Sequence, residues 1–161
     1  MRLLLIRHAI AVPRGTDIAD DERPLTKRGF RRFRAAARGL ARAVKRPDAL
    51  LTSPLVRAHQ TAVIVAEAWG RTRPVEVPAL AGGTFEELAE VLGQYPLDAT
   101  VVLVGHEPDL SSHLARLLGT PHEARLTFRK GGAALVDVPG TLTDGGALIW
   151  YLSPRLLRRM R

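Results

Sequence analysis

Three strand-length segments with apolar centres, Arg2 to Ile6, Asp48 to Thr52 and Thr100 to Val104, constrain the fold of this chain more than any other feature. Each ends at polar residues: Arg7-His8, Ser53 and Gly105-His106. Short apolar runs bounded in this way suit buried strands. Between them lie stretches with helical spacing. Thr26 is placed to cap a helix running to about Lys45, in which Phe30, Phe33, Ala37, Leu40, Ala41 and Val44 recur on one face. Ser53-Pro54 reads as an N-cap followed by proline in the first helical position, with Leu55, Ala58, Ala62, Val65 and Trp69 as the apolar stripe that follows. Further helices are expected from Thr84 to about Leu92 and from about Pro108 to Leu118. Short strands are expected at Val75 to Val77, Gly132 to Val138 and Ala147 to Leu152. The alternation predicts an α/β domain with a largely parallel sheet.

A length of 161 residues suits one domain, residues 1–161, and 46% hydrophobic residues are enough for one core. The chain has no cysteine, which excludes a disulfide scaffold, a thiolate zinc site and a cysteine nucleophile together. Leu3 to Ile6 is too short for a signal-peptide core, and no run approaches the ~18 apolar residues of a membrane span. A cytoplasmic protein with no membrane partner is therefore expected. The formal net charge is +8, which favours anionic partners. The cations gather from Lys27 to Arg46 and from Arg155 to Arg161. Neither cluster has the interleaved aromatics or module pattern of nucleic-acid binding, so solvated helix faces are the plain reading and no nucleic-acid partner is expected.

In open α/β sheets, ligands bind outside the carboxyl ends of the strands. Arg7-His8, Ser53 to Arg57 and Gly105-His106 all fall there, so residues scattered in sequence should converge in space. An isolated histidine beside a strand is more often structural or surface than catalytic, but its place at a strand end beside an arginine favours function, and neutral imidazole is a competent nucleophile toward phosphorus. An adjacent arginine offers a planar fork matched to phosphate oxygens. Arg57 sits in the first turn of its helix, where free N–H groups and the helix dipole already favour an anion. Gly105 before His106 is expected to let backbone and ligand approach closely. His59, His113 and His122 do not complete a zinc-ligand pattern with His106 and are read as structural or surface residues, so no metal is expected.

Leu5-Ile6-Arg7-His8, Ser53-Pro54-Leu55-Val56-Arg57-Ala58-His59-Gln60-Thr61-Ala62 and Val104-Gly105-His106 together resemble the histidine phosphatase (phosphoglycerate mutase-like) superfamily. Arg23-Pro24-Leu25-Thr26 resembles an element of its small SixA-type phosphohistidine phosphatase branch. The resemblance implies a three-layer α/β/α sandwich. It implies that His8 accepts the phosphoryl group, and that Arg7, Arg23, Arg57 and His106 hold its oxygens without a metal or cofactor.

Two departures bear on the substrate. Ala9 stands where much of the superfamily has glycine, a change the small branch tolerates. No general acid can be named: Glu67, Glu76, Glu86, Glu87 and Glu90 lie in the interval where many members carry one, none in a convincing context. Asp20, Asp21 and Glu107 read as loop, cap or ion-pair residues. An alkoxide leaving group needs a proton in the transition state, whereas the imidazole of phosphohistidine can take one from solvent. The expected partner is therefore a phosphohistidine-bearing protein, such as a phosphorelay or phosphotransfer domain, acted on by a monomer. A phosphatase for small phosphomonoesters is the alternative. A non-catalytic basic binding module is the third reading, against which the combination of Arg7, His8, Arg57 and His106 argues.

Overall fold

Alternate side chains of the first strand enter two different cores, and this fixes the layering. The computed structural model describes residues 1–15, 17–70 and 72–160. In β1 (Arg2–Arg7), Leu4 and Ile6 join one apolar cluster while Leu3 and Leu5 join the other. A strand buried on both faces is the central member of a covered sheet. The sheet has six strands in the order β3-β2-β4-β1-β5-β6, where β2 is Ala49–Thr52, β3 Pro74–Glu76, β4 Thr100–Gly105, β5 Ala133–Asp137 and β6 Ala147–Leu152. The first four positions are parallel, and β5 and β6 extend the sheet antiparallel.

Helices α1 (Lys27–Ala43) and α2 (Val56–Ala68) cover one face, together with the short α5 (Pro154–Leu157). Helices α3 (Phe85–Leu92) and α4 (Asp109–Leu117) cover the other. The result is the expected three-layer α/β/α sandwich. Thr26 caps α1 through Gly29 N–H, and Thr84 with Glu87 forms a full capping box on α3. No helix of the described residues is long and apolar enough to cross a membrane.

One expectation shifts. Helix α2 starts at Val56 with Leu55 as its cap, because the Ser53 hydroxyl accepts from Leu55 N–H and faces His106 instead of capping the helix. In the C-terminal segment Leu157 is buried and Met160 packs against the core, but Leu156 is 49% exposed; Arg161 lies outside the described residues.

Two glycines of α1 set its distance from its neighbours. A Cβ on Gly29 would lie 2.1 Å from the Ile10 carbonyl oxygen, and one on Gly39 would lie 2.0 Å from that of Leu157. Backbone therefore touches α1 at both places, next to His8 at one and under α5 at the other. Gly39→Ala is expected to destabilise the protein by about 1–3 kcal/mol, the usual cost of overpacking, with kcat/KM of the folded enzyme kept. Gly29→Ala should lower stability and kcat/KM together, since it displaces the segment that follows the candidate nucleophile. Chemical denaturation and a turnover assay on each variant check the pair.

Candidate active site

Parallel pairing of β1 with β4 places Arg7 opposite Gly105, so the next residues, His8 and His106, emerge side by side. Their ring centroids are 5.1 Å apart. β2 pairs with β4 on its other side, and Ser53 N–H donates to Val104 O. Three adjacent carboxyl ends thus deliver His8, His106 and the Ser53–Arg57 segment to one place.

The backbone of His8 is held from both sides. Its N–H donates to Gly105 O at 3.0 Å, and its carbonyl accepts from Gly131 N–H at 3.1 Å. The ring is 6% exposed, and its Nδ1 lies 2.7 Å from Ala9 O. A carbonyl can only accept, so Nδ1 carries the proton and a neutral ring keeps its lone pair on Nε2. Burial, then the neighbouring His106, Arg57 and Arg7, push the imidazole pKa down to about 3 against the opposing hydrogen bond to Ala9. His106 is likewise lowered to about 4, by burial first and then by Arg57. Its Nε2 lies 2.8 Å from Ser53 Oγ. Ser53 Oγ also accepts from Leu55 N–H, so the hydroxyl links His106 to the start of α2.

The arginines arrive by separate routes. Arg7 follows the apolar run of β1 and donates through Nη1 to Phe128 O. Arg57 enters in the first turn of α2 and is 4% exposed. Arg23 comes from a loop strapped to the segment after His8: Val12 N–H donates to Pro24 O and Thr26 N–H to Ile10 O, both at 2.9 Å. Leu25 N–H is further held by Gln60 Oε1 of α2 at 2.7 Å. Arg23 is 6% exposed as a result. All five residues singled out from the sequence are brought together. Among the described residues, Arg7 Nε and Arg57 Nε are buried without a partner, as is His106 Nδ1, so the cluster holds more donors than the described residues satisfy. Unpaired buried donors are costly, and an anion with several acceptor oxygens is the ligand that suits them.

A model of the histidine phosphatase superfamily (branch 1) matches residues 3–99. The chain belongs to that superfamily. An uncharacterized protein of Picosynechococcus sp. (strain ATCC 27264 / PCC 7002 / PR-6) is 36% identical over 136 residues, 82% of each chain. Among solved structures, the protein histidine phosphatase SixA complexed with tungstate superposes with a TM-score of 0.83 at 26% identity, covering 98% of this chain and 99% of that one. An Agrobacterium tumefaciens protein assigned as a SixA phosphohistidine phosphatase gives 0.79 at 25% identity, over 95% and 97%. Membership and these neighbours make the chain a phosphatase with a phosphoglycerate mutase-like fold.

In this histidine phosphatase the acids have structural duties. Glu67 pairs with Arg34, Glu86 with Arg116, Glu76 lies beside His59, and Glu87 closes the capping box of α3. Glu107 accepts from Phe128 N–H and Ser111 Oγ, both at 2.6 Å, and so fixes the loop that holds Arg7. Asp20 is the acid inside the cluster. Its Oδ1 takes hydrogen bonds from Arg14 and Arg23, and its Oδ2 one from Arg57 at 3.2 Å. The Arg14 hydrogen bond, then Arg23 and the charge of Arg57, hold its pKa at about 2 against desolvation. Asp21 contributes only its carbonyl, which accepts from Val56 N–H at the start of α2.

Several contacts lay outside the sequence reading. Ser53 is a partner of His106, not a helix cap. Thr61 is fully buried; its hydroxyl donates to Arg57 O at 2.7 Å and accepts from Ala9 N–H at 3.0 Å, tying α2 to the segment that follows His8. Lys130 stands near Arg7, Arg23 and Arg57, and burial and their charges lower its pKa. Gly105 packs inward, since a Cβ there would make ordinary contact with Leu110 at 3.4 Å; its expected role of admitting a ligand is not what the structure gives it. The Ser-Pro-Leu-x-Arg-Ala-x-Gln-Thr run contained Gln60 and Thr61, and that spacing was the available signal for both.

Two outcomes follow from these groups. Thr61→Val keeps the shape but strands Ala9 N–H, and should cost about 1–3 kcal/mol in denaturant unfolding together with a loss of kcat/KM. His8 and His106 have folded pKa values of about 3 and 4, below the ~6.5 of a free imidazole. The unfolded chain therefore binds the extra protons. Stability from this source is complete above pH 6.5 and falls as pH drops toward 4. Imidazole NMR signals of His8 and His106 should stay flat from pH 7.5 to 5 while the unfolding midpoint declines; titration of either ring near 6.5 would contradict the assignment.

Proposed function

We propose that residues 1–161 act as a single histidine phosphatase domain that hydrolyses phosphohistidine carried on another protein. The observation that carries this reading is the pairing of a neutral, buried nucleophile with a cationic cradle whose bridging carboxylate, Asp20, is ionised. Asp20, at a pKa of about 2, has no proton to give at neutral pH. A phosphate ester would need such a proton on its leaving oxygen. Phosphohistidine does not, because its imidazole leaves as the ring accepts a proton from water. The likeness to SixA proteins over nearly the whole chain supports the same reading.

In this mechanism His8 Nε2 attacks phosphorus in line. A bond forms from Nε2 to phosphorus as the bond from phosphorus to the substrate imidazole breaks, and that imidazole takes a proton from solvent. Water then attacks the phosphorylated His8, releasing inorganic phosphate and restoring the free ring. Arg7, Arg23, Arg57 and His106 hold the phosphoryl oxygens. Charge is spread over those oxygens during transfer, so positioning and fixed positive charge supply the rate.

The test compares a phosphohistidine-bearing protein domain with a panel of small phosphomonoesters, with and without chelator. Expected is fast, chelator-insensitive release from the protein and slow release from the esters, with His8→Ala reducing turnover by several orders of magnitude. Preference for the esters would keep the nucleophile and move the enzyme to small substrates. Binding that survives His8→Ala with no turnover of either class would favour the binding module.

A further inference from the structure

The two basic clusters of the sequence take no part in holding the phosphoryl group, yet the fold brings parts of both together. Leu157 of α5 is buried beside α1, where Gly39 admits the α5 backbone. A groove of about 490 Å³ opens there. Arg32 of α1, Arg129 and Lys130 of the loop before β5, Arg155 of α5 and Arg158 at its C-cap line it. Among the described residues, no carboxylate lines it and none of the five enters an ion pair. The apolar part of the lining includes Ile10, Phe33, Ala36 and Pro154. Burial, then the charges of Arg32, Arg155 and Arg159, lower the pKa of Arg158. Like charges crowded without a counter-charge repel, and an acidic surface relieves that repulsion.

The groove borders the nucleophile. Ala9, in its lining, directly follows His8, and Gly131 donates its N–H to the carbonyls of both Arg7 and His8. Lys130 lies within the field of Arg7, Arg23 and Arg57, so one edge is common to the groove and the phosphoryl site. Four of the five cations are exposed, and the half-buried Ile10 and Pro154 supply the accessible apolar part of the lining above the buried Phe33 and Ala36. A charged rim around an apolar centre is the anatomy of a protein interface. Base stacking would need an exposed aromatic, and Phe33 is only 2% exposed.

We propose that this groove docks an acidic, amphipathic helix of the phosphohistidine-bearing protein, its apolar side chains on the half-buried Ile10 and Pro154 and its carboxylates on the five cations. The proposal rests on the phosphohistidine reading above. Docking of this kind acts on encounter and on KM, is weakened by salt, and leaves the chemical step unchanged.

The experiment uses a helical scaffold protein with one histidine phosphorylated by phosphoramidate, made with acidic or with neutral residues around that histidine. Free phosphohistidine is the small control. The enzyme is compared with an Arg32→Glu/Arg155→Glu variant, both sites being exposed and outside the phosphoryl cradle. Expected at low salt is a fall of about tenfold or more in kcat/KM on the acidic scaffold, carried by KM. The preference for the acidic over the neutral scaffold should disappear, and turnover of free phosphohistidine should be unchanged. Equal turnover of both scaffolds by both enzymes overturns the docking proposal alone. An equal loss on free phosphohistidine overturns it in favour of a small-anion subsite. Inhibition by a short RNA that the variant abolishes, without discrimination between scaffolds, overturns it in favour of nucleic acid. If phosphomonoesters are hydrolysed and no phosphohistidine substrate is, the phosphohistidine reading itself fails and the docking proposal falls with it.

Discussion

The parallel register of β1 against β4 is the constraint on which the candidate site depends. Arg7 opposite Gly105 sets His8 beside His106 before any side chain chooses a rotamer. A slip of one residue would reverse the faces of Leu3, Leu4, Leu5 and Ile6, each of which is completely buried in one of two separate cores. The hydrophobic pattern that specifies the fold therefore also specifies the distance between the two imidazoles. Burial accounts for their chemistry as well. The apolar layers that flank β1 and β4 remove water from both rings, and this is the first cause of their lowered pKa values.

The cradle adds a second constraint, because several guanidinium groups must share a small volume. Arg7, Arg23 and Arg57 reach it from three different elements, and each is anchored by carbonyls or by Asp20. Asp20 offsets part of their repulsion at the outer edge, where its carboxylate bridges Arg14, Arg23 and Arg57. That bridge orders the loop and orients Arg23 and Arg57 toward the rings. The hydroxyl of Thr61 performs the corresponding task beneath, linking the Arg57 carbonyl to the Ala9 amide.

The strands, the two helices of the first face and the polar groups at strand ends could be read from sequence, because each is written in local periodicity or in a contiguous motif. The Thr26 cap and the buried run of β4 are of this kind. The antiparallel addition of β5 and β6 could not be read, since both strands look like any short apolar run and their direction is set by pairing with β1. Asp20 was likewise placed only as a loop or ion-pair residue. Nothing in Asp20-Asp21-Glu22-Arg23 shows that the first of these acids folds back onto Arg57, 37 positions away. The same limit hid the meeting of Arg32 with Arg155 and Arg158, which depends on two backbones touching at Gly39.

The distribution of carboxylates links fold to chemistry. A small α/β domain with a formal charge of +8 has few acids to spare, and this one uses Glu67, Glu86, Glu87 and Glu107 to fasten helices and loops. Asp20 is held by three arginines, which offsets part of their charge and at the same time removes its proton. A site with a strong anion cradle and no protonated acid is poor at expelling an alkoxide and loses nothing when the leaving group is an imidazole that water can protonate. Such a site gains little from a deep pocket that excludes solvent. On the phosphohistidine reading proposed above, it needs a nucleophile held neutral and an approach wide enough for a side chain on another protein, and the basic groove beside Ala9 borders that site.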